Sequence, residues 1–303
     1  MERIRFAGLT GIVMSCSLFF AASSAHATYP GSDGRLVFGA LNARGTFEIY
    51  SANPDGTGRV RLTRNTNVDL CPSASAQGDM IAFCSDRSGS FEIWVMGTDG
   101  SGQRQVTDLG GFAIFPDFDP TGQSIVFTGH GIHQNKNDIW VTSLDGAKLT
   151  RLTRRQGHNE GPVYSPDGSK IAFESNRSGT WEVWVMSADG SNPVQLTTDA
   201  VGAEWPDWSP DATKISYVRN VNGHGDVYVM NADGTKQIRL THTPENEFGT
   251  AWSPDGTQIS FGRDPGDGVT RPIFLMNADG SDQHALISDL FAGVPGWIPV
   301  PAP

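Results

Sequence analysis

One pattern recurs six times along this chain of 303 residues and constrains its fold more than any other feature. The segments FEIYSANPDG, FEIWVMGTDG, NDIWVTSLDG, WEVWVMSADG, GDVYVMNADG and RPIFLMNADG end at glycines spaced 44, 46, 44, 44 and 46 residues apart. A second series, SPDGSKIAF and its variants, and a third series, RLT and its variants, keep the same period. Three anchors that share one period indicate six structural repeats.

Each repeat is predicted to contain four β-strands. The IAF-type and EIWVM-type runs are rich in β-branched and aromatic residues and are bounded by Gly, Pro, Asp and Ser, as strands usually are. Asp-Gly pairs separate consecutive strands, where a hairpin turn needs the positive φ that glycine adopts without steric cost. No segment has sustained helical periodicity. Four-stranded units repeated every ~40–45 residues are typical of β-propeller blades. We therefore predict an all-β, six-bladed β-propeller.

The two ends of the repeat region predict how the ring closes. The N-terminal segment PGSDGRLVFGA supplies only the turn and second strand of a unit, whereas the C-terminal segment VPGWIPVP supplies only a first strand. Trp297 lies there in the register of Trp252 and Trp208. We expect the C-terminal strand to pair with the N-terminal strands in one blade, because this closure protects the edges that an open ring exposes.

The repeat W-SPDG-x-x-IAF…EIWVM-x-ADG…LT resembles the TolB-type propeller repeat, which is also called WD-repeat-like. The resemblance covers about residues 33 to 298. It implies a six-bladed propeller that is usually periplasmic in Gram-negative bacteria, binds other proteins and has a TolB-like role in the cell envelope. TolB itself has an α/β domain before its propeller. Only about five residues separate Ala27 from the first turn here, so we expect a propeller without that domain.

Residues 1–27 have the features of a cleaved secretory signal. A basic start at Arg3 and Arg5 precedes an uncharged apolar stretch and an A-x-A site that ends at Ala27, which is the usual order in a signal peptide. A membrane anchor is one alternative, but the apolar stretch is short. A lipoprotein signal ending at Cys16 is another, but the residues before it fit poorly. We expect cleavage after Ala27, a periplasmic or secreted protein, and a single TolB-like propeller domain over 28–303.

The charge balance argues against several classes of partner. There are 22 Lys and Arg against 33 Asp and Glu, a formal net charge of −11, and an acidic chain has no general attraction for nucleic acid or anionic lipid. No apolar stretch beyond the leader approaches the ~20 residues of a spanning helix. We expect a monomer that binds a protein or peptide of the cell envelope, with no nucleic acid, no membrane insertion and no cofactor.

Residues that recur at a fixed place in the repeats are interpreted as scaffold. The Asp of each Asp-Gly turn is expected to accept backbone N–H groups rather than bind calcium, because no copy has the carboxylate pattern of a calcium loop. Recurring aromatic residues are expected to pack between blades. The turn residues are Asp55, Asp99, Asp189, Asp233 and Asp279, and the aromatic residues are Phe118, Tyr164, Trp208, Trp252 and Trp297 on first strands and Trp94, Trp140 and Trp184 on third strands.

A further recurring set pairs an arginine with a glutamate across the loop between the second and third strands. The pairs are Arg44 with Glu48, Arg87 with Glu92, and Arg177 with Glu182. We expect ion pairs that brace this loop, since exposed pairs of this kind are common and weak. The alternative is that the arginines bind an anion near the axis.

Cys71 and Cys84 are the cysteines that remain after cleavage. Cys71 lies on a first strand and Cys84 on the next, and a hairpin turn around Gln77-Gly78 is expected to place them opposite each other. Facing cysteines in an oxidising compartment predict a disulfide. A metal pair lacks the further ligands that zinc needs, and a catalytic cysteine lacks an assigned base.

The loops that enter each blade differ between repeats and form the candidate functional surface. Function on repeat scaffolds usually lies where the repeats diverge, and aromatic residues and arginine beside carboxylates are typical of binding surfaces. The alternative is a set of ordinary polar loops with partly buried aromatic residues. The candidate partner-binding residues are Phe115, Arg154, Arg155, His158, Glu160, Glu204, Trp205 and Glu247.

The sequence favours a protein without enzymatic activity. It contains no G-x-S-x-G elbow and no P-loop pattern, and no catalytic residue or metal ligand is assigned. Oligogalacturonate lyases have propellers of related repeats and use histidines with a metal, but no such set is matched here. A saccharide-binding or saccharide-cleaving propeller is the alternative. Convergence of His130, His133, His158 and His242 on the axis would favour it.

Overall fold

The computed structural model describes residues 28–132, 134–154, 156–198, 200–293 and 295–300. Within these ranges the chain forms six four-stranded antiparallel sheets and no helix. Consequently, no described segment is a helix long and apolar enough to cross a membrane. The predicted leader, residues 1–27, lies outside the described residues.

The six sheets are the blades of a propeller, numbered 1 to 6, and the strands of each blade are named from the innermost outward. Blade 1 contains β24 (Gly296–Val300), β1 (Ser32–Leu41), β2 (Phe47–Ala52) and β3 (Val60–Arg61). Blade 2 contains β4 (Asp69–Ala74), β5 (Met80–Ser85), β6 (Glu92–Gly97) and β7 (Arg104–Gln105). Blade 3 contains β8 (Phe112–Phe118), β9 (Ser124–His130), β10 (Asp138–Ser143) and β11 (Leu149–Arg151).

The second half of the ring repeats this order. Blade 4 contains β12 (Asn159–Tyr164), β13 (Lys170–Ser175), β14 (Glu182–Ser187) and β15 (Val194–Gln195). Blade 5 contains β16 (Ala203–Trp208), β17 (Lys214–Val221), β18 (His224–Asn231) and β19 (Ile238–Arg239). Blade 6 contains β20 (Asn246–Trp252), β21 (Gln258–Asp264), β22 (Ile273–Asn277) and β23 (His284–Ile287).

The blades close into a ring around one axis. The innermost strands β4, β8, β12, β16, β20 and β24 contact each other in that cyclic order. In blade 1, β24 pairs antiparallel with β1, and Leu36 faces Trp297 in that pairing. The predicted six-bladed fold and its closure by the C-terminal strand are therefore confirmed.

The hydrophobic core is divided among the six interfaces between neighbouring blades. Each of the six large clusters of buried apolar residues combines two adjacent blades. The first-strand aromatic residues lie in these clusters, as predicted, and Trp208 is 1% exposed between blades 4 and 5. The third-strand tryptophans pack against the same clusters but are only half-buried. An arginine covers each of them, as Arg87 does 4.7 Å above the ring centre of Trp94.

The Asp-Gly turns lie on one face of the ring, which we call the turn rim, and have the predicted geometry. Asp99 Oδ1 accepts the backbone N–H of Ser101 at 2.9 Å. Gly100 has a φ of +87°, and a Cβ at that position would lie 2.7 Å from the carbonyl oxygen of Leu62 next to blade 1. Glycine is therefore required both by the turn and by the close approach of the preceding blade.

The predicted arginine–glutamate pairs are wrong. Glu92 accepts the hydroxyl of Thr107 at 2.6 Å and the backbone N–H of Leu109 at 2.9 Å, whereas Arg87 binds Asp69 at 2.8 Å. Glu48 likewise binds Thr63 and Arg61 rather than Arg44, and Glu182 binds Thr197 while Arg177 donates to Asn159. Each glutamate is buried at the start of the third strand of its blade. There it accepts a hydrogen bond from the threonine that ends the RLT-type segment of the same repeat. In each of these blades that threonine also accepts a third-strand N–H, which fixes the short outermost strand.

Deletion of residues 293–303 tests the ring closure. Without β24, β1 loses its partner strand and Trp297, which is 6% exposed, leaves the interface with blade 6. We expect the melting temperature to fall by many degrees, because a buried tryptophan alone contributes about 3–5 kcal/mol. Thermal unfolding followed by circular dichroism measures this, with deletion of residues 301–303 as the control. An unchanged melting curve after the longer deletion would contradict the closure.

Candidate functional site

A β-bulge interrupts the innermost strand of blades 2 to 6 near the face opposite the turn rim, which we call the loop rim. The bulge residues share a φ between 54° and 56°, a left-handed conformation that non-glycine residues adopt rarely. The register shifts at each of these points. The bulge residues are Cys71, Phe115, Gly161, Trp205 and Gly249. Bulges next to an axis re-aim neighbouring side chains, and they often occur at functional sites.

The residue before each bulge is apolar in three of these blades and acidic in the other two. Leu70, Ile114 and Phe248 hold this position in blades 2, 3 and 6, whereas Glu160 and Glu204 hold it in blades 4 and 5. The loop-rim end of the axis is therefore acidic on one side, across two adjacent blades.

Glu174 completes an acidic cluster with Glu160 and Glu204. On neighbouring strands of blade 4, Glu174 pairs directly with Glu160, and like charges directly opposite each other destabilise a sheet. Glu174 Oε2 also accepts the backbone N–H of Trp205 in blade 5 at 2.7 Å. Glu160 accepts the side-chain amide of Asn137 at 2.8 Å. Glu160 and Glu174 are therefore each held in place by a hydrogen bond from a residue outside the cluster.

Burial and mutual repulsion make these carboxyl groups hard to ionise. Burial, with the neighbouring Glu160, raises the pKa of Glu204 to about 7. Burial also raises the pKa of Glu174 well above its usual value, and the charges of Glu204 and Glu160 add to that rise. The pKa of Glu160 is raised by burial. Ionisable groups whose pKa values are shifted by burial and by each other are often found at functional sites.

The remaining predicted site residues are not all part of this cluster. His158 lies beside it, with Nδ1 3.9 Å from Glu160 Oε1, and burial lowers the pKa of His158. Trp205 is 9% exposed and packs against Val218 and Phe248. Phe115 is 8% exposed in the core between blades 2 and 3. Arg154 is exposed on the loop before blade 4, and Arg155 lies outside the described residues.

Glu247 is fully buried and is occupied by scaffold contacts. Its oxygens accept the hydroxyls of Thr241 at 2.9 Å and Thr243 at 2.6 Å, and the guanidinium of Arg263 at 3.0 Å. This placement favours a role in holding blades 5 and 6 together over a role in binding a partner.

The predicted cysteine pair is placed differently from the expectation. The bulge at Cys71 adds a residue to β4, so Cys84 faces Leu70 instead of Cys71. Both cysteines are buried free thiols in the structure, which does not show the predicted disulfide. Burial raises the pKa of the Cys84 thiol well above its usual value, and the adjacent Cys71 thiol adds to the rise. The two side chains are neighbours, so the disulfide stays a prediction.

The histidines do not assemble a metal centre in the part of the chain that the structure describes. No group of three or more His, Cys, Asp or Glu residues there has a geometry that holds a metal ion. His130 stacks on Phe112 with ring centres 5.4 Å apart. His133 lies outside the described residues, and His242 is exposed.

A second pair of axial carboxylates, which the sequence did not predict, lies nearer the turn rim. Asp117 and Asp207 are fully buried on β8 and β16. Asp117 accepts the hydroxyl of Ser73 in blade 2 at 3.0 Å and the N–H of Tyr164 in blade 4 at 2.9 Å. Both aspartates lie in a Pro-Asp-aromatic sequence on a first strand, and this shared pattern could have identified them as a pair. Glu174 could not be found in this way, because no other repeat has a glutamate at its position.

Comparison with known proteins agrees with this architecture. Residues 101–204 match the family model of the TolB beta propeller domain. The chain folds as a TolB-like six-bladed β-propeller. Residues 165–289 also match the model of the dipeptidyl peptidase IV N-terminal region. No curated protein is significantly similar to this TolB-like propeller.

Several solved structures are similar in fold to the TolB-like propeller. TolB from Acinetobacter baumannii is 22% identical, with a TM-score of 0.76 over 88% of this chain and 67% of that one. A putative TolB from Agrobacterium tumefaciens is 25% identical, with a TM-score of 0.60 over 73% of this chain and 87% of that one. An oligogalacturonate lyase in complex with manganese is 12% identical, with a TM-score of 0.55 over 86% of this chain and 74% of that one.

The acidic cluster predicts an unusual dependence of stability on pH. Because burial raises the pKa of Glu204 from 4.5 to about 7, folding takes up a proton in this interval. The stability that Glu204 contributes is complete below pH 4.5 and is lost as the pH rises through 7. We expect Glu204→Gln to gain free energy of unfolding relative to the native chain between pH 5 and pH 8, by at most about 3 kcal/mol.

Urea unfolding of the TolB-like propeller at the two pH values measures this gain. Glu245→Gln, on the loop before β20, is the control and should follow the native chain at both pH values. Contributions from His158 are common to both chains and cancel in the difference. Equal stability differences at pH 5 and pH 8 would contradict the raised pKa.

The predicted disulfide between Cys71 and Cys84 can be tested by thiol alkylation of the exported protein. We expect no alkylation of Cys71 and Cys84 in denaturant before reduction and complete alkylation of both thiols after it, because an oxidising compartment joins adjacent thiols. Intact mass spectrometry reads both states. Alkylation of both cysteines before reduction would show that they stay free, as in the structure.

Proposed function

We propose that this protein is an exported, non-enzymatic propeller that binds a protein or peptide of the cell envelope through its loop rim and the funnel at the axis. The resemblance to TolB supports a protein-binding role for the repeats and a periplasmic location. The leader-like residues 1–27 support export, with cleavage after Ala27.

The acidic cluster is the observation on which this proposal depends. Glu160, Glu174 and Glu204 are held close together by the strands of blades 4 and 5 although their charges repel. A scaffold gains nothing from this arrangement, since apolar residues hold the Glu160 and Glu204 positions in three other blades. Repulsion that lowers the stability of the free protein is relieved when a positive charge enters the site.

The chemistry of the cluster indicates which part of the partner enters the funnel. A lysine or arginine side chain offers several N–H donors and a positive charge, and these match the carboxylate oxygens of the cluster. Binding would lower the pKa values of the three glutamates and release water from the funnel. The partner is therefore proposed to present an exposed basic side chain on a loop or extended segment.

The surroundings of the cluster suit a protein surface. His158 lies beside Glu160, and the ring of Trp181 lies 6.3 Å from that of His158. Arg154 is exposed on the same rim, where aromatic residues and arginine favour protein contacts. Arg155, which precedes blade 4 in the sequence, is proposed to contribute to this contact surface, and Trp205 is proposed to support it from its buried position on β16.

A crosslinking experiment tests the proposed function. The protein, carrying a C-terminal tag, is crosslinked in a periplasmic extract, and recovered proteins are identified by mass spectrometry. We expect one envelope protein, recovered at least about tenfold less with Glu160→Gln and Glu204→Gln combined, because buried charge pairs are worth more than about 1.4 kcal/mol. Recovery should also fall at high salt.

A turn-rim variant controls for the charge change in this experiment. Asp282→Asn removes an exposed carboxylate on the opposite face, at a residue with a φ of 56° that asparagine tolerates. Its recovery should equal that of the native chain. The proposal is contradicted if the recovered protein is the same, in equal amount, for the double glutamine variant.

A further inference from the structure

The segment Thr28–Tyr29 crosses the propeller axis at the turn rim. Thr28 Oγ1 donates to the carbonyl oxygen of Trp252 in blade 6 at 2.8 Å. The Tyr29 hydroxyl donates to the carbonyl oxygen of Phe118 in blade 3, on the opposite side of the ring. Thr28 and Tyr29 are 4% and 3% exposed. Two adjacent residues therefore bridge opposite blades across the axis at this rim.

Asp207 lies next to this segment and is incompletely paired. It is fully buried on β16, Oδ2 accepts the N–H of Trp252 at 2.8 Å, and the hydroxyl oxygen of Thr28 lies 3.3 Å from Oδ2. Oδ1 has no hydrogen-bond partner among the described residues. Burial raises the pKa of Asp207, and the charge of Asp117 adds to the rise. An unsatisfied buried carboxylate oxygen is costly, so a further donor with a positive charge would stabilise the site.

Cleavage after Ala27 would create such a donor at the right place. Thr28 would then begin the chain with an α-ammonium group, which has three N–H donors. In a threonine the backbone nitrogen lies about 3 to 4 Å from Oγ1, depending on the side-chain rotamer. Because Thr28 Oγ1 is 3.3 Å from Asp207 Oδ2, the ammonium group would lie at most about 7 Å from that oxygen, close to the range in which opposite charges shift each other's ionisation.

We propose that the α-ammonium group of Thr28 is a buried ligand of Asp207, and that the processed N-terminus plugs the axial channel at the turn rim. This inference rests on the proposed export, because only cleavage creates that amine. The propeller then completes its axial packing after processing, and the channel is open to a partner only from the loop rim, where the acidic cluster lies.

The experiment compares two N-termini in the full chain. One chain is exported with its native residues 1–27, and the other has Gly-Ser inserted between Ala27 and Thr28. N-terminal sequencing identifies the first residue of each purified protein. We expect the inserted chain to melt roughly 5 °C or more below the native one, because it buries Asp207 without its ion-pair partner.

Substitutions test whether this difference in melting temperature depends on Asp207. With Asp207→Asn, the native and inserted N-termini should give the same melting temperature. Asp226→Asn is the matched control, since Asp226 is also fully buried and its Oδ1 also has no partner within the described part of the chain, but it lies on the third strand of blade 5. There the difference between the two N-termini should persist.

Labelling of the amine gives a second readout that does not need the Asp207 variant to fold. The α-amine of the native protein should react with an acylating reagent at neutral pH at least about tenfold more slowly than after unfolding, as a buried ion pair of about 1.4 kcal/mol or more requires. Rapid labelling of the folded protein would overturn the plug. A first residue other than Thr28 would contradict the proposed cleavage and the plug together. A first residue of Thr28 with equal melting temperatures in the native and inserted chains would overturn the plug alone.

Discussion

Closure of six twisted sheets into one ring brings the six innermost strands together around a common axis, where polar groups are largely shielded from water. Every polar group placed there needs a partner from a neighbouring blade or from a ligand. Asp117 meets this demand with donors from blades 2 and 4, and so ties three inner strands together. Among the described residues, Asp207 at the turn rim keeps one buried oxygen without a partner, and at the loop rim burial and neighbouring charges raise the pKa of Glu174.

The two ends of the axis have different chemistry for this reason. At the turn rim the chain supplies its own residues, Thr28 and Tyr29, to the carboxylate and carbonyl groups of opposite blades. At the loop rim Glu160, Glu174 and Glu204 are buried close together, and their carboxyl groups resist ionisation because of burial and of each other's charge. In the proposed function, a positive charge that binds at blades 4 and 5 relieves the repulsion between these carboxyl groups.

Much of the fold follows from the repeat period, because turns and packed strands recur with it. The bulges could not be predicted, since a positive φ at Cys71, Phe115 or Trp205 is imposed by the ring and not by local preference. The contacts of Glu247 could not be predicted for a related reason, since three residues brought together by the fold, Thr241, Thr243 and Arg263, supply them. Glu174 was not predicted either, because it stands where other repeats have Cys84 or Thr128.

Three glutamates at the loop rim share a buried, mutually repelling site, and their ionisation can be measured directly. Their side-chain carboxyl carbons can be followed by 13C NMR as the pH is changed, with glutamine variants to assign the signals. We expect one carboxyl to titrate near pH 7 and its signal to be absent in Glu204→Gln, in line with the pKa of about 7 at that residue. Titration of all three between about pH 4 and pH 5, as for exposed glutamates, would contradict the shared buried site.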